Sequence, residues 1–234
     1  MPQVQLKIAA SRISGFREAV RIQESFVTKA EKRVLRWLAE RMPERVNSDH
    51  LTGLGAVAMF LVGASYALTR FTPYGLLLAC FFLAVNWFGD SLDGTLARYR
   101  ARQRPRYGFY VDKMIDCFGV TALFAGMGAS GHLQPLIAVW LLVAYLLLSS
   151  EIFLATYSLA EFKMSYFQFG PTELRMLLCA GNLYVFFHPA VRPFGLPLTL
   201  FDFGALIGAG GMVAIAIVSF VRHTRILYDA ERLP

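Results

Sequence analysis

Only three cysteines occur in the 234 residues, Cys80, Cys117 and Cys179, each alone in an apolar stretch. With no CxxC pair and no cysteine–histidine spacing, the chain predicts neither a disulfide framework nor a zinc site, and the three read as small core residues. Charge is scarce as well. Asp, Glu, Lys and Arg make up 17% of the residues, 56% are hydrophobic, and mean hydropathy is +0.48. Soluble domains hold about 45–50% apolar residues even with glycine counted, so this composition belongs in a bilayer. The first forty-odd residues lack the apolar core of a signal peptide; they are polar and basic, and predict no first span. No long polar insert and no internal repeat interrupts the remainder of the chain. The net charge of +7 gathers beside the hydrophobic stretches, which points to anionic lipid head groups and topology control rather than nucleic acid.

What is present is apolar length. Six hydrophobic stretches near 51–70, 75–98, 108–130, 134–158, 173–190 and 202–222 each approach the ~20 residues that cross a hydrocarbon core. Turn signals separate them: Thr72-Pro73, Ser130-Gly131-His132, Gly170-Pro171 and the proline-rich run between Pro189 and Pro197. Before them, residues 24–42 set Phe26, Val27, Ala30, Val34, Trp37, Leu38 and Met42 among Lys29, Lys32, Arg33, Arg36 and Arg41. That spacing predicts an amphipathic helix lying in the membrane interface, or one packed on a partner. The expected fold is therefore all-α and polytopic: a juxtamembrane amphipathic segment (1–46), a six-helix transmembrane catalytic domain (47–223) and a tail (224–234). Lys and Arg collect in the N-terminal segment, the 98–106 and 163–175 loops and the C-terminal tail, whereas the opposite side holds only Arg70 and Arg192. The positive-inside rule places both termini in the cytoplasm, with the second and third spans ending there near Asp90 to Asp116. A prokaryotic inner membrane is the expected location.

Four aspartates, Asp90, Asp93, Asp112 and Asp116, sit inside two of these apolar stretches. Intramembrane carboxylates are costly and mark function by default. Spacings of three and four residues put each pair on one helix face, so two facing helices would bring four carboxylates together. Such a cluster must be protonated or hold cations, and hard oxygen ligands suit Mg²⁺ or Mn²⁺. The bland alternative is a set of structural ion pairs with Arg98, Arg100 or Lys113. It explains neither the glycines nor the regular spacing. Gly119, Gly126, Gly128, Gly208, Gly210 and Gly211 read as helix-contact residues. Trp87, Trp140, Tyr145 and Tyr157 read as packing or interface anchors.

Asp90-Ser-Leu-Asp93-Gly94-Thr-Leu-Ala97-Arg98, followed by Gly108-Phe-Tyr-Val-Asp112-Lys-Met-Ile-Asp116, resembles the signature of CDP-alcohol phosphotransferases, with all eight fixed positions present in order. The spacer between Arg98 and Gly108 is one residue longer than the usual form. The Asn47-Ser-Asp-His-Leu51-Thr52 stretch is similar to the family's upstream element, with Val46 in place of its proline. The resemblance implies transfer of a substituted phosphate group from a CDP-linked donor to a hydroxyl, with release of CMP, and a homodimer. The residues agree. Gly94 and Gly108 permit close backbone approach, Ala97 keeps the same face open, and Arg98 suits a phosphate oxygen. Together with Asn47 and Thr52 these are the expected nucleotide and phosphate contacts. Asp90, Asp93 and Asp112 would hold one or two divalent cations, and Asp116, one turn deeper, is both a candidate ligand and the general base.

Candidates for the acceptor are Lys113, Glu151 in the fourth span, and Thr172 and Arg175 at the start of the fifth. Lys113 is equally readable as a counter-charge, Thr172 as a helix cap, and Glu151 as a structural partner. One arm of the family passes a phosphatidyl group from CDP-diacylglycerol to a soluble alcohol, and the other passes a CDP-borne head group to diacylglycerol. Six compact spans favour the first arm, by analogy. A transporter using intramembrane carboxylates is the rival class. It predicts acidic residues spread through the bilayer on broken helices in two related halves, and here they crowd one end.

Overall fold

The computed structural model of the chain is described for residues 26–159, 171–189, 195, 197–231; the turn expected at Gly170 lies outside these. Among the described residues seven helices occur in order: α1 (Phe26–Arg41), α2 (Ser48–Leu68), α3 (Tyr74–Tyr99), α4 (Pro105–Ala129), α5 (Pro135–Leu159), α6 (Pro171–Phe187) and α7 (Leu200–Ala230). No strand occurs among the described residues. Boundaries fall within three residues of the sequence expectation, except that α7 runs on to Ala230 through the expected tail. At 31 residues and about 1.5 Å per residue, α7 outreaches a bilayer.

Four helices, α2, α3, α5 and α7, are long and apolar enough to cross a membrane. The expectation of six meets a physical obstacle in the other two. α4 carries Arg106, Asp112, Lys113 and Asp116 in its first half, and α6 has only 17 residues with Glu173 and Arg175 in its first turns. Exposed apolar surface is abundant elsewhere: Leu136, Val139, Trp140 and Leu154 of α5 and Ile207, Ile217 and Phe220 of α7.

α2 is the spine. Both α3 and α4 pack along it, α5 joins α4 to α7, and α6 lies on α3. Small residues let the backbones meet. A Cβ on Gly89 of α3 would stand 2.6 Å from the Leu51 carbonyl oxygen and 2.7 Å from the Gly55 nitrogen. On the other flank of α2, a Cβ on Gly126 of α4 would overlap the Gly63 carbonyl, and one on Gly63 would overlap that of Ala122. Gly119 and Gly128 also make helix contacts, and Gly208 approaches Leu141, but Gly210 and Gly211 face open space, contrary to expectation.

Two apolar clusters result. The larger runs through Val62, Tyr66, Leu76, Leu83, Leu123, Leu133 and Phe201. The smaller joins Leu35 and Ala39 of α1 to Leu51, Leu92 and Leu96, so the amphipathic helix buries its inner edge on α2 and α3. Arg100 secures the link behind it, donating to the carbonyls of Val46 at 2.6 Å and of Met42 and Pro43 at 2.9 Å each. Deep in the bundle, Tyr66 donates to Asn182 Oδ1 at 2.8 Å, tying α2 to α6.

Candidate active site

The motif ends of α3 and α4 reach the same place because each helix seats on its own flank of α2 through glycine. One carboxylate oxygen from each of Asp90, Asp112 and Asp116 lies within 4.8 Å of the others, and all three residues are half-buried. Asp93 stands apart from that trio. Its Oδ2 accepts from Thr52 Oγ1 at 2.6 Å and its Oδ1 from the Gly94 backbone N–H. Thr52 thereby links α2 to the motif, as its place in the upstream element suggests.

Two cations serve the carboxylates. Lys113 Nζ lies 2.8 Å from Asp112 Oδ2 and 2.9 Å from Asp116 Oδ2, and Arg175 Nη2 lies 2.6 Å from Asp90 Oδ2. Lys113 and Arg175 offset only part of the charge of four carboxylates. A cluster of oxygen donors with residual negative charge is the donor set that hard divalent cations select, so the residues fit Mg²⁺ or Mn²⁺.

The glycines of the motif differ from those of the seams. Beside Gly108 an added Cβ would meet nothing within 4 Å, and beside Gly94 only the tip of Arg98, at 3.5 Å. Packing does not require them; the space above them is open. Arg98 lies back along its own helix, with Nη2 donating to Thr95 Oγ1 at 3.2 Å. Asn47 caps α2, its backbone N–H donating to His50 Nδ1 at 3.2 Å. Asn47 and Ala97 share a cavity of about 420 Å³ with Ser48, Asp49, Arg100 and Arg104. Arg104 closes one side of it through an ion pair to Asp49.

The acceptor candidates scatter. Arg175 joins the cluster. Glu151 does not: its Oε1 lies 2.6 Å from His223 Nδ1 on α7, and its Oε2 is buried with no partner. Thr172 donates to Glu31 Oε1 of α1 at 2.8 Å. Sequence reading passed over two residues. Asn86 accepts from Arg175 Nε at 2.9 Å and donates to the Gly55 carbonyl at 2.9 Å. Its position four residues before Asp90, on the same helix face, was the available signal. Glu31, an acid in the basic helix, was the other.

An oxygen-rich trio thus sits at one end of an apolar bundle, beside open glycines and Asn47, the cap of α2. Residues 48–221 match the family described as CDP-alcohol phosphatidyltransferase, and the chain belongs to that family. It is a transferase of substituted phosphate groups, integral to the membrane and active in phospholipid synthesis. The fold is similar to that of the phosphatidylinositol phosphate synthase of Mycobacterium tuberculosis solved with CDP-DAG bound, at 19% identity, covering 86% of this chain and 92% of that one with a TM-score of 0.52. No curated protein sequence matches the chain.

Proposed function

We propose that the protein transfers a phosphatidyl group from CDP-diacylglycerol to the hydroxyl of a soluble alcohol, releasing CMP at the cytoplasmic face of a prokaryotic inner membrane. The observation that carries this is the meeting of Asp90, Asp112 and Asp116 oxygens within 4.8 Å in a chain of this family. CDP-DAG bound to the structural neighbour supports the choice of donor.

Asp90, Asp112 and Asp116 would hold a centre of one or two divalent cations, with Asp93 as the fourth candidate ligand. When bound, it neutralises pyrophosphate charge and favours departure of CMP. The residues divide the remaining work. Gly94, Ala97 and Gly108 leave room for the nucleotide and diphosphate, Arg98 and Asn47 contact them, and Thr52 orients Asp93. Asp116 takes the acceptor proton as the hydroxyl oxygen forms a bond to the lipid-bearing phosphorus and the bond from that phosphorus to the CMP oxygen breaks. Arg175 orients the acceptor. Lys113 supplies counter-charge. Both cations are already engaged by carboxylates, which favours an acceptor without a phosphate of its own.

The test uses purified protein in lipid nanodiscs with labelled CDP-diacylglycerol and a panel of alcohols, some phosphorylated. CMP release is expected only with a suitable alcohol and with Mg²⁺ or Mn²⁺, abolished by EDTA and restored by excess metal. Release indifferent to both, with CDP-diacylglycerol and with CDP-linked head groups alike, overturns the reading. Homodimerisation, implied by the family resemblance, is checked by mass photometry of the same discs.

A further inference from the structure

Glu31 is an acid on the inner side of a helix whose neighbours Lys32, Arg33 and Arg36 are exposed and basic. Attraction of α1 to anionic lipid gives such a carboxylate no role. Its contacts give it one. Oε1 accepts from Trp87 Nε1 at 2.7 Å and from Thr172 Oγ1 at 2.8 Å, with Ser91 Oγ at 3.5 Å. Trp87 and Ser91 lie one turn apart on α3 and bracket Asp90; Thr172 lies in the first turn of α6. Three residues after Thr172, Arg175 returns to α3 through Asn86 at 2.9 Å and Asp90 at 2.6 Å.

We infer that Glu31 is a positioning residue: it fastens the first turn of α6 to α3 and so holds Arg175 against the carboxylate cluster. This rests on the proposed transfer reaction and assigns the juxtamembrane helix a part in it. Glu31 and Arg175 both join the first turn of α6 to α3. Hydrogen bonds to a charged group are the stronger kind, so a single carboxylate suffices for the first of these joins. Removing it takes away the Thr172 anchor and loosens the helix start that carries Arg175. Asp93 is held by Thr52, and Asp112 and Asp116 by Lys113, all outside the bracket, so the loss falls chiefly on the acceptor.

The experiment measures CMP release by the full-length protein in nanodiscs, varying donor and acceptor separately, for Glu31→Ala, Glu31→Gln and Thr172→Val. Glu31→Ala is expected to raise the acceptor KM about tenfold, the size of one lost charge-assisted hydrogen bond, with the donor KM within about twofold of wild type. Glu31→Gln keeps an oxygen acceptor without the charge and recovers part of the loss. Thr172→Val repeats part of it, and the double variant is less than additive. Hydrogen exchange of amides in residues 171–176 rises in Glu31→Ala while that of α2 and α7 does not. Unchanged acceptor KM with unchanged exchange overturns the inference, and so does an equal loss for both substrates that Glu31→Gln fails to repair. If the wild-type protein releases no CMP, the transfer reaction fails, and the exchange measurement still decides the bracket.

Discussion

Lys113 bridges two carboxylates of its own helix, and the consequence is a site that holds its acidic groups close before any substrate arrives. The ammonium lies within 2.9 Å of Asp116 and 2.8 Å of Asp112, so the proposed base is aimed by a neighbour rather than left to solvent. Asp116→Asn keeps size and hydrogen bonding but cannot accept a proton. Turnover is expected to fall about 10²–10⁴-fold, with labelled CDP-diacylglycerol binding largely retained in an equilibrium assay. Loss of binding together with turnover would make Asp116 chiefly a metal ligand. The four aspartates were legible because helical spacing alone aligns each pair. Arg175 on Asp90, Thr52 on Asp93 and Thr172 on Glu31 were not, since they join positions 85, 41 and 141 residues apart, and no local pattern encodes such pairs. Glu151 is a further case: sequence left open an acceptor contact or a structural partner, and the structure sets it beside His223, a pairing 72 residues apart that no local pattern encodes.

The elements owe their spacing to glycine, and the two kinds of glycine make opposite predictions. At Gly126 a methyl group would overlap the Gly63 carbonyl, so Gly126→Ala is expected to lower unfolding stability by about 1–3 kcal/mol and to weaken metal-dependent turnover as α4 shifts on α2. Gly108→Ala, with nothing within 4 Å, is expected to leave stability nearly unchanged while weakening donor binding. Thermal unfolding in detergent beside a donor titration separates the two. The 100–104 turn holds Ala101 at φ 52°, the left-handed region that a Cβ disfavours. Ala101→Gly relieves about 1 kcal/mol of that strain, and a small rise in melting temperature is the expected result. Sequence showed that this spacer carries an extra residue, though not that the turn would enter that region. For α1 the sequence pattern put the apolar stripe through Val34, Trp37 and Leu38; the structure buries Leu35 and Ala39, which that stripe left out. Both pack against α2 and α3, whereas Val34 and Trp37 remain 47% and 52% exposed, an outer edge suited to lipid.

Across the whole molecule, helix order and boundaries were readable because apolar runs and turn residues alternate cleanly. The number of spans was less so: α4 trades hydrophobicity for its carboxylates and α6 is short, so counting apolar windows gives four. Polar helices of this kind are tolerated where neighbours cover them. Orientation is tested by cysteine labelling after replacement of Cys80, Cys117 and Cys179 by alanine. A cysteine at position 103 is expected to react only from the cytoplasmic side, and one replacing Phe71, 84% exposed in the α2–α3 turn, only from the outside. The opposite pattern would invert the topology.

α3 and α4 take their separation from α2 rather than chiefly from each other. The three rods form a chassis locked at glycine crossings, α3 and α4 each against α2. Substitutions that spare those crossings can accumulate in the outer helices without recalibrating the distance between the acidic jaws.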